Sequence, residues 1–301
     1  MPDTCHWTYR PGHNVSLLRG DRVLATYSFA NKDGAKPFVH PLTTVQGVPL
    51  TAFQPSDHVW HRGIWFAWKY INGVNYWEED PVEVDGETRS LSEGRTLVQD
   101  DETVTFSSGC AEVATWLDYV NPEGLTVMRE RRLVRICPPQ SYGDFVIDWE
   151  QDFTVGDKAV SLSATPVAAE TPWGGYAGFG YRAGRNLRDF RVLTSEGATG
   201  AEANGAQARW VDISGVADGS KDIAAGIAIL DHPDNPRHPP PSYVFFDTAQ
   251  FGYINPSLVR DEPLDLPAAA KLNLKYRVVV HDGWPDSAAL ERDYQAFAST
   301  Q

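Results

Sequence analysis

The sequence predicts an all-β protein, one large antiparallel β-sandwich with a short C-terminal helix, occupying residues 1–301 as a single domain. Three observations lead there. Short runs of strand-forming residues recur along the chain between turns rich in Gly, Pro, Asn and Asp. Only Ser287 to Ala298, SAALERDYQAFA, carries a helical period, with Leu290, Tyr294 and Phe297 on one face. No stretch has the composition of a linker, and sandwiches exceed ~200 residues without dividing. Doubly wound sheets and TIM barrels need a helix after nearly every strand, so both are excluded.

The first elements form a hairpin, Val15 to Leu18 and Val23 to Phe29, turned at Arg19-Gly20-Asp21. Asn31-Lys32-Asp33-Gly34 turns the chain again, and Phe38 to Leu42 resumes an extended path, with Pro41 favouring extended geometry at His40. The apolar run Ile64 to Trp68 is a buried strand. Ile71-Asn72-Gly73-Val74 turns it toward a short strand at Asn75 to Glu78, and the acidic residues 79–95 make an exposed excursion. Strands follow at Thr96 to Phe106, Cys110 to Tyr119, Leu125 to Ile136, Phe145 to Phe153 and Ala159 to Ala164. Residues 170–186, with glycines among aromatics, read as a loop whose backbone approaches something closely. Arg188 to Leu193, Arg209 to Ser214, Gly226 to Leu230, Tyr243 to Phe246 and Leu272 to His281 complete the strands.

Forty acidic against 26 basic side chains give a formal charge of −14, which disfavours nucleic acid and anionic membrane partners. Cys5, Cys110 and Cys137 are odd in number, widely spaced and lack a CxxC pair. They suggest neither a disulfide framework nor a thiolate metal cluster, and fit a reducing compartment. The first 20 residues lack the apolar segment of a signal peptide, and no stretch approaches the roughly 18 apolar residues of a membrane span, so a cytoplasmic location is expected. A homo-oligomer stays open.

The densest chemistry lies in Asp57-His58-Val59-Trp60-His61-Arg62, directly before the apolar run. On a strand His58 and His61 point to opposite faces; on a turn they converge. Asp57 caps a turn or fixes a histidine tautomer, and Arg62 grips substrate oxygens or pairs with a carboxylate. His40 with His58 and His61 makes a nitrogen triad for a divalent metal, although His-x-x-His alone is a weak signal and the histidines equally act without one.

A second patch, Asp231 to Pro239, places His232, Asn235, Arg237 and His238 on a proline-stiffened loop. A third, Trp173 to Arg182, offers an aromatic platform on which sugar C–H faces stack, with Tyr176 and Arg182 bonding hydroxyls; ordinary loop packing is the alternative. Trp77 belongs with these aromatics, while Trp60, Trp65 and Trp68 crowd the same stretch and are partly core.

At Phe38 to Leu42, Pro55 to Phe66, Asn72-Gly73 with Trp77, Gly174 to Arg182, Asp231 to Pro239 and Tyr276 to Gly283, the chain resembles a bacterial family labelled methane oxygenase PmoA-like. That family is similar in broad outline to the galactose-mutarotase supersandwich, whose members bind or transform sugars on an open sheet face. In mutarotases a histidine and a glutamate exchange protons with the sugar. The resemblance implies His58, His61 and His232 for such chemistry, with Glu78 and Glu170 the nearest candidates for the glutamate.

The expected function is a carbohydrate-active enzyme using histidine acid–base chemistry (epimerisation, elimination or hydration, or hydrolysis) on a small sugar or oxidised sugar. His58 or His61 moves the proton, His232 or His238 serves the opposite side, and Arg62 with Arg182 holds charged oxygens. His40, Asp57, Trp77, Tyr176, Asn235 and Arg237 bind substrate. A sugar-binding module without catalysis, or a metal-dependent enzyme, are the alternatives.

Overall fold

A computed structural model describes residues 4–30, 36–79, 81–84, 87–139, 144–220, 222–247 and 251–300. Two large sheets face one another. The first has eight strands in the order Cys5–Arg10, Asn14–Arg19, Arg22–Ser28, Phe38–Leu42, Ile64–Ala67, Gly178–Arg182, Gly252–Pro256 and Ser242–Phe246. The second runs Arg95–Val98, Cys110–Val120, Thr126–Cys137, Phe145–Val155, Lys271–Asp282, Ala224–Asp231, Trp210–Ala217 and Leu187–Thr194, with Thr103–Ser107 also pairing on Cys110–Val120. Strand pairings among the described residues are antiparallel. The all-β sandwich expected from the sequence is the fold.

Between the sheets, Phe179 stacks on Tyr276 with centroids 4.8 Å apart, and Trp149 meets Phe179 and Tyr27 edge-on at 5.3 and 5.6 Å. A buried polar group crosses this core. Arg132 donates to both oxygens of Glu130 at 2.5 and 2.8 Å, Tyr119 and Gln151 donate to the same carboxylate, and the guanidinium lies 5.2 Å over the Trp149 ring. An ion pair with zero exposure at both ends survives there because the remaining carboxylate lone pairs are also satisfied.

The first sheet is buried on its outer face too, and this positions the site. Side chains alternate along a strand. In Ile64–Ala67, Ile64 and Phe66 enter the main core while Trp65 and Ala67 join a separate aromatic cluster outside. Phe179 and Tyr181, Ile254, and Val244 likewise point inward, leaving Arg182, Tyr253 and Tyr243 on the outer face. The C-terminal helix, Ser287–Ala298, is capped by the Asp286 carboxylate, which accepts from the Ala289 amide at 2.6 Å. It packs Leu290, Tyr294 and Phe297 on the outside of the second sheet, against Trp210, Leu230 and Val279.

Several expectations are corrected. The strand anticipated from Thr96 to Phe106 is two, Arg95–Val98 and Thr103–Ser107, and Trp77 and Glu78 lie beyond the strand Val74–Asn75. Within residues 79–95, Pro81–Val84 and Glu87–Ser90 pair as a hairpin. The glycine-rich stretch is only partly loop: Gly178–Arg182 is a buried strand. The turn at residues 31–34 lies outside the described residues. Cys110 and Cys137 form a disulfide across neighbouring strands, which removes the cysteine argument for a reducing compartment; Cys5 is free. No helix among the described residues is long and apolar enough to cross a membrane.

Candidate functional site

Two successive turns shape the Asp57–Arg62 segment. The His58 amide donates to the Pro55 carbonyl and the His61 amide to the His58 carbonyl, both at 2.9 Å. Gly63 then leads into the strand at φ +72°, where a Cβ would lie 2.5 Å from the Val39 carbonyl oxygen, so only glycine fits. The consequence is convergence. The imidazoles of His58 and His61 stack with centroids 4.5 Å apart and planes 19° from parallel.

Each ring is held by a different kind of partner. His58 Nδ1 lies 2.8 Å from Asp57 Oδ2; a carboxylate only accepts, so Nδ1 carries a proton and, in the neutral imidazole, Nε2 presents a lone pair. His61 Nδ1 lies 3.3 Å from Arg182 Nη1; a guanidinium only donates, so Nδ1 accepts and the proton resides on Nε2. Arg182 also donates through Nη2 to Asp57 Oδ2 at 2.8 Å, and Arg185 donates to Oδ1. Arg182 thus ties the two histidine supports together, and its guanidinium lies 3.4 Å from the Phe251 ring centroid.

The electrostatics follow. Burial works to raise the Asp57 carboxyl, but the His58 and Arg182 hydrogen bonds and the Arg182 charge win, holding it well below the usual carboxylate range. Burial drives His61 well below its ordinary value, helped by the charges of Arg182 and Lys36. His61 is therefore a neutral donor near neutrality.

Around the pair, aromatic rings enclose a cavity of about 120 Å³ lined by both histidines with Trp60, Trp77, Trp173, Tyr176, Tyr243, Phe251 and Tyr253. Tyr253 stacks on His61 at 5.3 Å, and Gly180 makes room for it, since a Cβ there would lie 2.8 Å from the Tyr253 hydroxyl oxygen. Burial raises the Tyr176, Tyr243 and Tyr253 phenols above their ordinary value, so all three remain protonated. The cavity adjoins an outer cleft of about 580 Å³ that shares His58, Trp173, Tyr243 and Phe251 and adds Asp57, Arg182, Arg185, Phe245 and Asp247.

A family model matches residues 14–295. The chain belongs to DUF6807, a family of unknown function. That description carries no methane-oxygenase label. No curated protein matches the chain. Among solved structures, it is similar to a Klebsiella pneumoniae protein provisionally described as an aldose 1-epimerase, at 10% identity over 95% of this chain and 84% of that one, TM-score 0.45. It is also similar to galactose 1-epimerase from Lactobacillus acidophilus, at 9% over 93% and 99%, TM-score 0.41. A third is the Slr1438 protein of Synechocystis, at 11% over 93% and 97%, TM-score 0.39. At these identities and scores no residue role passes from them to the DUF6807 chain.

The other sequence-derived candidates in this DUF6807 protein lie elsewhere. His40 bonds Thr51 Oγ1 at 2.8 Å and stacks on Phe53, and Arg62 sits 5.4 and 5.5 Å from the Phe38 and Phe53 centroids. The His40–His58–His61 triad, raised as an alternative to metal-free chemistry, does not form, because His40 is held in this neighbouring aromatic cluster. No group of three or more His, Cys, Asp or Glu among the described residues is arranged to hold a metal ion.

The proline-rich loop belongs to the helix side of the second sheet. His238 joins Asp231 Oδ2 at 2.7 Å and the Tyr294 hydroxyl at 3.1 Å, and His232 packs edge-on against Phe297. Asn235 bonds Asp231 and the Lys275 backbone, while Arg237 donates to the carbonyls of Leu258, Glu262 and Pro263. None of these contacts touches the His58–His61 group, so the patches do not converge: this loop is bonded to the helix, to its own sheet and, through Arg237, to the segment that follows Gly252–Pro256. His281 pairs with Asp212 at 2.8 Å, also apart from the cavity. Glu78 is engaged by Lys69 at 2.7 and 2.8 Å and by Asn75, and Glu170 is exposed and lines neither cavity.

Sequence reasoning missed Arg185, Tyr243, Phe251 and Tyr253. The last three belong to a hairpin whose second strand, Gly252–Pro256, was overlooked. Two aromatic runs, Tyr243 to Phe246 and Phe251 to Ile254, separated by four residues, were the available signal.

Proposed function

We propose that this protein is an enzyme that abstracts a proton from carbon beside a carbonyl of a small sugar or oxidised sugar, leading to elimination or the reverse hydration. The observation that carries this reading is the opposite polarity of the stacked histidines at the mouth of an aromatic cavity. His58 Nε2, backed by the Asp57 carboxylate, takes the proton. Electrons move onto the carbonyl oxygen, where the neutral His61 Nε2–H donates a hydrogen bond to the developing enolate, a role suited to an imidazole that burial keeps neutral near pH 7. Loss of the substituent on the next carbon regenerates the carbonyl, and that leaving oxygen takes the proton from His58. The positions of Arg182 and Arg185 make them positioning residues for Asp57 and, through Arg182, for His61.

Hydrolysis by paired carboxylates fits less well, since Asp57 and Asp247 are the carboxylates lining the cleft and Asp57 is engaged by two arginines. The carbohydrate assignment is supported by the combination of aromatic faces with charged hydrogen-bonding groups at the rim. Incubation with ketosugars, uronates and aldonates, followed by absorbance of a conjugated product and mass spectrometry, tests it. Loss of water or an alkoxy group in the presence of protein, absent with His58→Ala, supports the proposal; no turnover across the panel contradicts it.

A further inference from the structure

We infer that the outer cleft is a subsite for a second sugar ring, stacked on Trp173 and Phe245. The inference rests on the carbohydrate reading of the inner cavity and extends it from a single ring to a glycoside of at least two. Trp173 and Phe245 are 50% and 46% exposed, both beside the same opening, in a chain that buries most of its large aromatics. Phe245 is held edge-on against Phe251 at 5.0 Å, and the Arg182 guanidinium lies against Phe251, so the platform is fixed before a ligand arrives.

Size points the same way. The inner cavity, about 120 Å³, takes one small portion of a substrate, whereas the cleft outside it, about 580 Å³, falls within the roughly 300–1,000 Å³ of small-molecule sites. The two spaces adjoin across His58, Trp173, Tyr243 and Phe251, so a ligand seated against His58 lies beside the cleft as well as the cavity. The chemistry of the rim selects a sugar over a purely apolar group. Arg185, 49% exposed at its side chain, and the exposed Asp247 bring charged donors and acceptors to the edge of two aromatic faces. A pyranose offers that pattern in reverse, with hydroxyls around its perimeter and C–H bonds on its faces.

Calorimetric titration of the full chain with glucose and cellobiose, galactose and β-1,4-galactobiose, xylose and xylobiose, and glucuronate and its β-1,4 dimer tests the subsite. The disaccharide of the recognised pair is expected to bind about tenfold more tightly than its monosaccharide, the gain one stacked ring provides. In Phe245→Ala, which changes a half-exposed side chain lining the outer cleft alone, that ratio is expected to fall to about threefold or less. Trp173→Ala, whose side chain lines both the cleft and the inner cavity, is read through the same ratio, in which any effect on the first ring cancels, and circular dichroism verifies the fold of each. A wild-type ratio near one, or a ratio retained in both variants, overturns the subsite while leaving the inner-cavity reading intact. Failure of every pair to bind overturns both.

Discussion

His58 and His61 lie face to face, centroids 4.5 Å apart, with their Nδ1 atoms bonded in opposite senses: one donates to Asp57, the other accepts from Arg182. Two chemically identical side chains three residues apart thereby present a lone pair and an N–H to the same space. The difference is imposed entirely by the partners behind them.

Asp57→Asn tests the first partner. An amide in place of the carboxylate permits the wrong His58 tautomer and removes the negative charge that stabilises a protonated imidazole. Turnover is expected to fall about 10²–10⁴-fold, the range of a general-base contribution, with a smaller change in KM. The measurement is steady-state kinetics on whichever substrate the panel yields.

His61 makes stability depend on pH. In the unfolded chain it binds a proton below its ordinary value of 6.5; in the folded chain it does so only well below that. Between the two the unfolded state holds more protons, so the contribution is fully present above 6.5 and is lost as pH falls toward the folded value. His281 has the opposite sign: burial opposes protonation, but Asp212 prevails and raises it. The contrast with His61→Gln therefore isolates the effect. Denaturant titrations at pH 7 and 5 are expected to show a smaller loss in the variant than in the wild type, by at most about 1.4 kcal/mol per pH unit.

The disulfide gives a covalent prediction. Non-reducing peptide mapping is expected to find Cys110 joined to Cys137, with Cys5 free. Cys110→Ser with Cys137→Ser is expected to lower the unfolding free energy by about 2–4 kcal/mol, measured by urea titration.

Arg132→Met leaves Glu130 buried without its cation, at a cost of about 3–5 kcal/mol. Replacing both, Glu130→Leu with Arg132→Met, is expected to recover part of that loss. Thermal and denaturant unfolding of the two variants side by side measures the difference.

Much of the fold was legible because strand and turn signals are local. The hairpin around Arg19-Gly20-Asp21 and the Ser287–Ala298 helix follow directly from apolar spacing and turn residues. The buried Glu130–Arg132 pair was not legible, because alternating charge on a strand reads as a wet face until the opposing sheet is known. Asp57-His58-x-x-His61 announced a dense polar turn, and the turn does bring the histidines together. What failed was convergence at long range. His40 shares the outer face of the first sheet but is bonded to Thr51 and stacked on Phe53 apart from the pair, while strand order sends His232 and His238 to the helix side of the second sheet, and sheet order is not a local property of sequence. The disulfide was missed for the same reason: 27 residues separate its cysteines, and only the register of Cys110–Val120 against Thr126–Cys137 puts them opposite one another.

The most direct measurement of the central claim is proton exchange at carbon in D2O, followed by NMR for the same sugars and sugar acids. With His58 as the base, wild-type protein is expected to exchange a C–H beside the carbonyl of its substrate, and His58→Ala to slow that exchange by about 10²–10⁴-fold while retaining binding. Exchange that proceeds unchanged in His58→Ala, or a bound sugar whose C–H bonds never exchange with wild-type protein, would contradict the assignment of His58 as a base.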